Sequence, residues 1–202
     1  MNKSALLIFM KNPVLGKVKT RLAKTIGEAK ALEVYHLLLE HTFKITTSVS
    51  CDKFIFYSDH VEQNDNWGKN GHHQELQEGN DLGERMQNAF SHVFVQDYDK
   101  AIIIGSDCYE LTSEMIEKAF NALDTRDAVI GPAKDGGYYL LGMKSMHSQL
   151  FESKRWSTDS VLQETVNDIQ KMKLKLVMLE TLNDIDEVDD LQSPPFDRFI
   201  PS

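Results

Sequence analysis

The chain reads as an α/β protein with a mostly parallel central sheet flanked by helices. Short aliphatic runs, LLIFM ending at Met10 and AIII at 101–104, suit strands buried on both faces of a parallel sheet. Amphipathic stretches such as Glu28 to Ile45 alternate with such runs, the pattern of helices packed onto a sheet. Each run also stops at turn-prone residues: Asn12, Pro13 and Gly16 after the first, Gly105 and Ser106 after the second.

At 202 residues and 41% hydrophobic, the chain can bury one substantial core. Residues 1–202 are expected to form one domain, with 192–202 as a tail. LLIF is too short to span a bilayer and runs into Lys11 and Pro13, so neither a membrane helix nor a secretory signal is indicated, and the cytoplasm is the expected location. Cys51 and Cys108 form neither a metal-ligand spacing nor a disulfide framework, and reduced thiols are expected.

A net charge of −9 argues against a nucleic-acid-binding surface, which needs clustered cations. The charge is unevenly placed, however. Met1 to Gly27 contains no acid and carries Lys3, Lys11, Lys17, Lys19, Arg21 and Lys24, a local patch suited to a small anionic ligand.

Taken in order, Ala5 to Met10 forms the first strand. The loop KNPVLGKVKTRL, Lys11 to Leu22, sets Lys and Arg beside backbone made adaptable by Gly16, a suitable environment for phosphate oxygens; by itself it is equally a solvated basic loop. It is not a Walker A loop, because Val18 follows Gly16-Lys17 and position 11 is not glycine, and no GxGxxG fingerprint occurs. Leu32, Tyr35, Leu38, Leu39, Thr42 and Ile45 then mark a helix from Glu28. KFIFY, 53–57, is a strand. Residues 59–73 read as a polar loop holding Trp67 and the pair His72-His73, whose side chains cannot point the same way in extended chain and are read as surface residues.

Asp81 with Glu84 resembles a capped helix start before the stripe Leu82, Met86, Ala89, Phe90 and Val93, while Gln77 and Gly79 in the preceding turn are free to approach a ligand. Asp107 would emerge at the carboxyl end of the central strand, where open α/β sheets hold ligands; the alternative is a turn or helix-cap role. Thr112 caps a helix running to about Leu123, and 128–132 is another strand, ended by Pro132. In DGGYYLLG, 135–142, a turn leads into a strand from Tyr138. A hairpin accounts for it, though an Asp beside two glycines also brings carboxylate and backbone close to a substrate. A helix from Ser157 to Ile169 and a strand at 174–179 follow. LNDIDEVDDL then sets five acids between Asp184 and Asp190, a pattern usually found on solvated surface.

The segments KNPVLGKVKTRLA, LQEGNDLGERM, AIIIGSDC, AVIGPAKDGGYYLLG, RWSTDSVL and LNDIDEVDDL, in that order, resemble the bacterial DUF2064 proteins, transferases with a glycosyltransferase-A, or nucleotide-diphospho-sugar transferase, fold. The similarity runs from about Leu6 to Leu191 and implies a Rossmann-like, mostly parallel sheet. It further implies that Lys11, Gly16, Lys17, Lys19 and Arg21 hold nucleotide phosphates, that Gln77 and Gly79 lie at the nucleoside, and that Asp107 and Asp186 bind Mg²⁺ or Mn²⁺. Lys19, Arg21 and Asp107 would be catalytic, and Asp135, Gly136, Gly137, Tyr138 and Trp156 would face the acceptor.

Two carboxylates suit Mg²⁺, which takes hard oxygen ligands and keeps waters. The reaction so implied is metal-dependent nucleotidyl transfer from a nucleoside triphosphate to a phosphorylated or hydroxylated small molecule. The alternatives are glycosyl transfer from a nucleoside-diphosphate sugar and a non-catalytic nucleotide-binding module. No protein nucleophile is required, and Cys108 reads as a packing residue. The chain departs from the family pattern at Tyr109, where proline is common, and at Glu187 and Val188, which replace Thr and Pro.

Overall fold

The computed structural model describes residues 3–192 and 194–201. Seven strands form one sheet: β1 (Ser4–Met10), β2 (Asp52–Tyr57), β3 (His73–Leu76), β4 (Lys100–Ile104), β5 (Ala128–Pro132), β6 (Tyr138–Met143) and β7 (Leu176–Met178). Their order is β3-β2-β1-β4-β6-β5-β7, and β6 alone runs antiparallel to its neighbours. The expected mixed, mostly parallel α/β sheet is therefore present. Its helices are α1 (Thr20–Ile26), α2 (Glu28–Thr47), the single turn α3 (Asn66–Lys69), α4 (Leu82–Phe94), α5 (Ser113–Ala122) and α6 (Val161–Lys171).

The uninterrupted aliphatic runs are explained by burial on both sides. Alternate residues of a strand point to opposite faces. Leu7 and Ile103 accordingly pack with Phe90 and Val93 of α4 and Ile169 of α6, while Leu6 and Ile102 pack with Ile116 and Phe120 of α5. β1 and β4 pair in register from Ser4 with Lys100 to Ile8 with Ile104, so both chains leave the sheet at the same edge.

The caps behave largely as the sequence implies. Asp81 Oδ1 accepts from the Glu84 amide at 2.9 Å, and Thr112 Oγ1 accepts from the Met115 amide at 3.3 Å. Glu84, however, reaches back to the amide of Asn80 rather than that of Asp81. The turn into β6 is a hairpin closed by the Ala133 amide donating to Gly137 O, with Gly136 at φ +89°.

Four expectations differ in the structure. The basic loop ends at Lys19, because Leu22 and Ile26 turn inward as α1. The polar loop at 59–73 contains α3, whose Trp67 is buried, and His73 opens the edge strand β3, stacking on Phe54 at 4.4 Å. A half-exposed four-residue edge strand carries too little apolar pattern to be read from sequence. The helix expected from Ser157 starts at Val161, after turns that include Ser157 at φ 62°. Finally, Phe196 and Phe199, in the segment read as a tail, are buried against Leu22, Tyr35 and Leu38.

Candidate functional site

A cleft of about 590 Å³ opens at the carboxyl ends of β1 and β4. Its floor is Phe9, Ile103, Ile104 and Gly105, and Asp107 stands on its rim just beyond β4. Three tertiary features converge there. Tyr35 of α2 is fully buried; its hydroxyl accepts from the Lys11 amide at 2.8 Å, donates to Lys11 O at 3.0 Å and lies 3.2 Å from the Ser106 hydroxyl. It thereby ties the exit of β1 to the exit of β4. The amide of Ile185 donates to Asp107 O at 2.9 Å, drawing the late acidic segment alongside the same turn. Leu182 exchanges backbone hydrogen bonds with Pro132 and Lys134 and fixes the start of that segment beside β5.

The result is a cluster of charges from widely separated parts of the chain. Lys19 Nζ lies 2.7 Å from Asp107 Oδ1 and 3.1 Å from Asp186 Oδ1, and its side chain is 3% exposed. The backbone of Lys19 is left-handed, at φ 48°, where the loop turns into α1 and the side chain is directed inward. The two carboxylates hold the ammonium in its charged form: burial pulls its pKa down, but Asp107 and then Asp186 more than offset this. Arg21, mostly exposed, stands 3.9 Å from Asp186.

Asp184 is the residue that sequence reasoning missed. It lines the cleft with Asp107, Asp135 and Asp186, and its carboxyl is pushed up to about 7, first by burial and then by the negative charges of Asp107 and Asp135. A signal was available. Asp184 and Asp186 flank the buried Ile185, and residues two apart share a side wherever the chain is extended. The rest of the acidic run has local work: Asp190 accepts from the Asp186 and Glu187 amides and from the Asn183 side chain.

Not every expected residue reaches the cleft. Arg21, Asp107, Asp135, Gly137, Tyr138 and Trp156 line it together with Asp186, and Gly136 packs beneath it, where a Cβ would fall 2.2 Å from Asp159 O. Lys11, Gly16, Lys17, Gln77 and Gly79 do not line it. The side-chain amide of Gln77 donates to Met10 O and Phe56 O, bracing the ends of β1 and β2. Gly79, at φ +143°, lets the turn lie on α4, where a Cβ would come within 2.7 Å of the Arg85 amide. Both therefore have architectural reasons for their identity. Cys108 is buried, and burial pushes its thiol up to about 12, consistent with packing rather than reactivity. Tyr109 packs between His41 of α2 and Phe196, at ring-centroid distances of 4.4 and 4.8 Å.

The donor chemistry of the cleft fits a divalent cation. Asp107 and Asp186 already converge on one positive charge, and the carboxyls of Asp135 and Asp184 line the same cleft. Among the described residues, no three His, Cys, Asp or Glu side chains form a ready-made metal cage. Two protein carboxylates with the remaining positions left to water and phosphate is the arrangement typical of Mg²⁺.

The family model for DUF2064, "Uncharacterized protein conserved in bacteria", matches residues 41–158. A crystal structure from Desulfovibrio desulfuricans G20, provisionally named a nucleotide-diphospho-sugar transferase, is 35% identical, with a TM-score of 0.87 over 98% of this chain and 91% of that one. More distant structures share the fold. The inositol-1-phosphate CTP transferase of T. maritima matches with 14% identity and a TM-score of 0.59 over 98% and 96% of the two chains. A cytidylyltransferase from Leptospira borgpetersenii matches with 15% identity and a TM-score of 0.59 over 94% and 84%. No curated protein matches in sequence.

Proposed function

Since the chain belongs to the DUF2064 family, we propose that it is a nucleotidyltransferase, moving a nucleotide from its triphosphate to a small-molecule acceptor with Mg²⁺ or Mn²⁺ as cofactor. The observation that carries this reading is the bridge of Lys19 between Asp107 and Asp186 at the carboxyl ends of the central strands, with Arg21 beside it. Phosphoryl-type transfer asks the protein mainly for positioning and for charge matched to the departing group, and this cluster supplies both signs of charge at one point.

Asp107 and Asp186 are the residues that would hold the metal ion. When bound, the ion supplies Lewis-acid polarisation of the phosphate oxygens. The remaining work falls to the chain. Lys19, held charged by its two acids, offsets negative charge on the triphosphate, and Arg21, exposed on the rim, adds a second cation. The acceptor oxygen forms a bond to the α-phosphorus as the bond to pyrophosphate breaks. Pyrophosphate departs, and the proton of a hydroxyl acceptor passes to water. The half-enclosed cleft orients the two reactants in line.

Glycosyl transfer is the second reading, favoured by the name given to the 35% identical relative. A thermal-shift panel of nucleoside triphosphates and nucleoside-diphosphate sugars, each with and without Mg²⁺, separates the two, because a ligand of the folded state raises its melting temperature. Metal-dependent stabilisation by a triphosphate, followed by pyrophosphate release on turnover, is the expected outcome. Stabilisation by nucleotide sugars alone, with no pyrophosphate, would overturn it in favour of glycosyl transfer. Tight metal-dependent binding without any product would identify a non-catalytic module.

A further inference from the structure

The cleft is chemically lopsided. Among the described residues Arg21 is the only cation lining it, against the acidic side chains of Asp107, Asp135, Asp159, Asp184 and Asp186. Lys19 and Arg21 are already matched to Asp107 and Asp186, whereas among the described residues Asp135, Asp159 and Asp184 have no salt-bridge partner. Apolar surface lies in the same cleft: Leu82 and Met86 from α4, Tyr138 from β6, and Trp156. Leu82, at the first turn of α4, remains 40% exposed. Trp156 is seated with unusual tightness, since a Cβ on Gly83 would fall 2.1 Å from its indole nitrogen. Its ring also stacks on Phe151, at a centroid distance of 6.4 Å. The part of the indole that lines the cleft is a rigid apolar surface for a ligand.

We propose that the acceptor carries no phosphate of its own and is a neutral hydroxyl compound with one apolar face, which lies against Trp156 and Leu82 while its hydroxyls meet Asp135 and Asp159. This rests on the transferase reading and narrows it. A phosphorylated acceptor would bring further negative charge into a cleft whose cations are already matched, beside the carboxylates of Asp135 and Asp159, which have no counter-ion among the described residues. Like charges in a partly enclosed, low-dielectric site repel strongly. A neutral polyol instead finds carboxylates as hydrogen-bond acceptors and an aromatic surface for its apolar face.

The test uses the full chain without nucleotide or metal, so that it does not depend on the nucleotide. Phenyl β-D-glucoside, its 6-phosphate and cytidine are titrated against tryptophan fluorescence in the wild type, in Trp156→Phe and in Trp67→Phe, Trp67 being the other tryptophan. The glucoside is expected to bind at least tenfold more tightly than its 6-phosphate, with a signal lost in Trp156→Phe and retained in Trp67→Phe. Equal or tighter binding of the 6-phosphate overturns the proposal. So does a signal that survives Trp156→Phe, and so does no binding of the glucoside at millimolar concentration. Tighter binding of cytidine at Trp156 would assign the wall to the nucleobase and likewise overturn it. Pyrophosphate release is scored separately: its absence with every triphosphate counts against nucleotidyl transfer and leaves the ligand preference standing.

Discussion

Lys19 Nζ lies 2.7 Å from Asp107 Oδ1, although the two residues are separated by most of a Rossmann-like half-sheet in sequence. The ammonium has left the solvent, whereas the Asp107 side chain is 44% exposed and open to the cleft. A cation fixed from behind and a carboxylate presented to the front is an arrangement that can receive a metal–phosphate ligand without moving the backbone.

Asp107→Ala removes one of the two carboxylates that converge on Lys19. Loss of an outer-sphere partner alone weakens metal sites by about 10–100-fold, and loss of a ligand should do at least as much. Calorimetry is expected to show Mg²⁺-dependent nucleotide affinity lowered by more than about tenfold, with an unchanged far-UV circular dichroism spectrum. Unchanged affinity would end the assignment of Asp107 to the metal.

Lys19→Ala and Arg21→Ala should differ in size. Arg21 is mostly exposed and only 3.9 Å from Asp186, so its removal should weaken nucleotide binding by less than about fivefold, in keeping with exposed ion pairs of under about 1 kcal/mol. Lys19 is 3% exposed and serves two acids, so its loss should cost about tenfold or more. Equal effects in the same titration would show that the buried bridge has no special role.

Asp184 makes stability depend on pH. Its folded pKa, about 7, is raised above the unfolded value, so the folded state binds the proton more tightly. Between about pH 4 and pH 7 the native state therefore carries more protons than the unfolded chain, and stability falls as pH rises, levelling off above 7. Asp184→Asn mimics the protonated form. Its melting temperature should match that of the wild type near pH 4, exceed it increasingly up to pH 7, and keep a constant advantage beyond. A difference independent of pH would refute the assigned shift.

Gly83→Ala places a methyl where the Trp156 indole now lies. Alanine is the better helix former by about 1 kcal/mol, yet the clash should dominate, with a net destabilisation of about 1–3 kcal/mol in urea unfolding and a shifted tryptophan emission. A stabilised variant with unchanged emission would mean that the indole is free to move.

Tyr109→Ala removes the ring between His41 and Phe196. The expected loss is about 1–2 kcal/mol, accompanied by faster proteolysis near Phe196 while Asp107 and the cleft keep their ligand affinity. The departure at Tyr109 from the family pattern would then belong to packing of the C-terminal segment rather than to chemistry.

Much of this was legible in the chain. The aliphatic runs at β1, β4 and β5, the caps Asp81 and Thr112, and the hairpin at 135–137 all depend on local rules of periodicity, capping and turn chemistry, which act within a few residues. The edge strand β3 and the one-turn helix α3 escaped because they are too short for a period to show, and Trp67 was hidden by the polar residues around it. Gln77 and Gly79 have structural work outside the cleft lining, and an amide or a glycine before a helix looks the same in sequence whether it meets a ligand or braces a strand end.

By itself, then, the sequence determined the α/β class, the strand ends at which a site could form, and Asp107 as an acid just beyond one of them, because backbone propensity and apolar patterning are local properties; Asp186 stood out only through the family resemblance. Only the tertiary structure decided that Lys19 turns inward between Asp107 and Asp186, that Asp184 joins them with a raised proton affinity, and that the Trp156 indole packs against Gly83 in the same cleft. These are long-range facts. They depend on Tyr35 tying two strand exits together and on the Ile185 amide reaching Asp107 O, and on the charges and close contacts that follow once distant segments share one small volume.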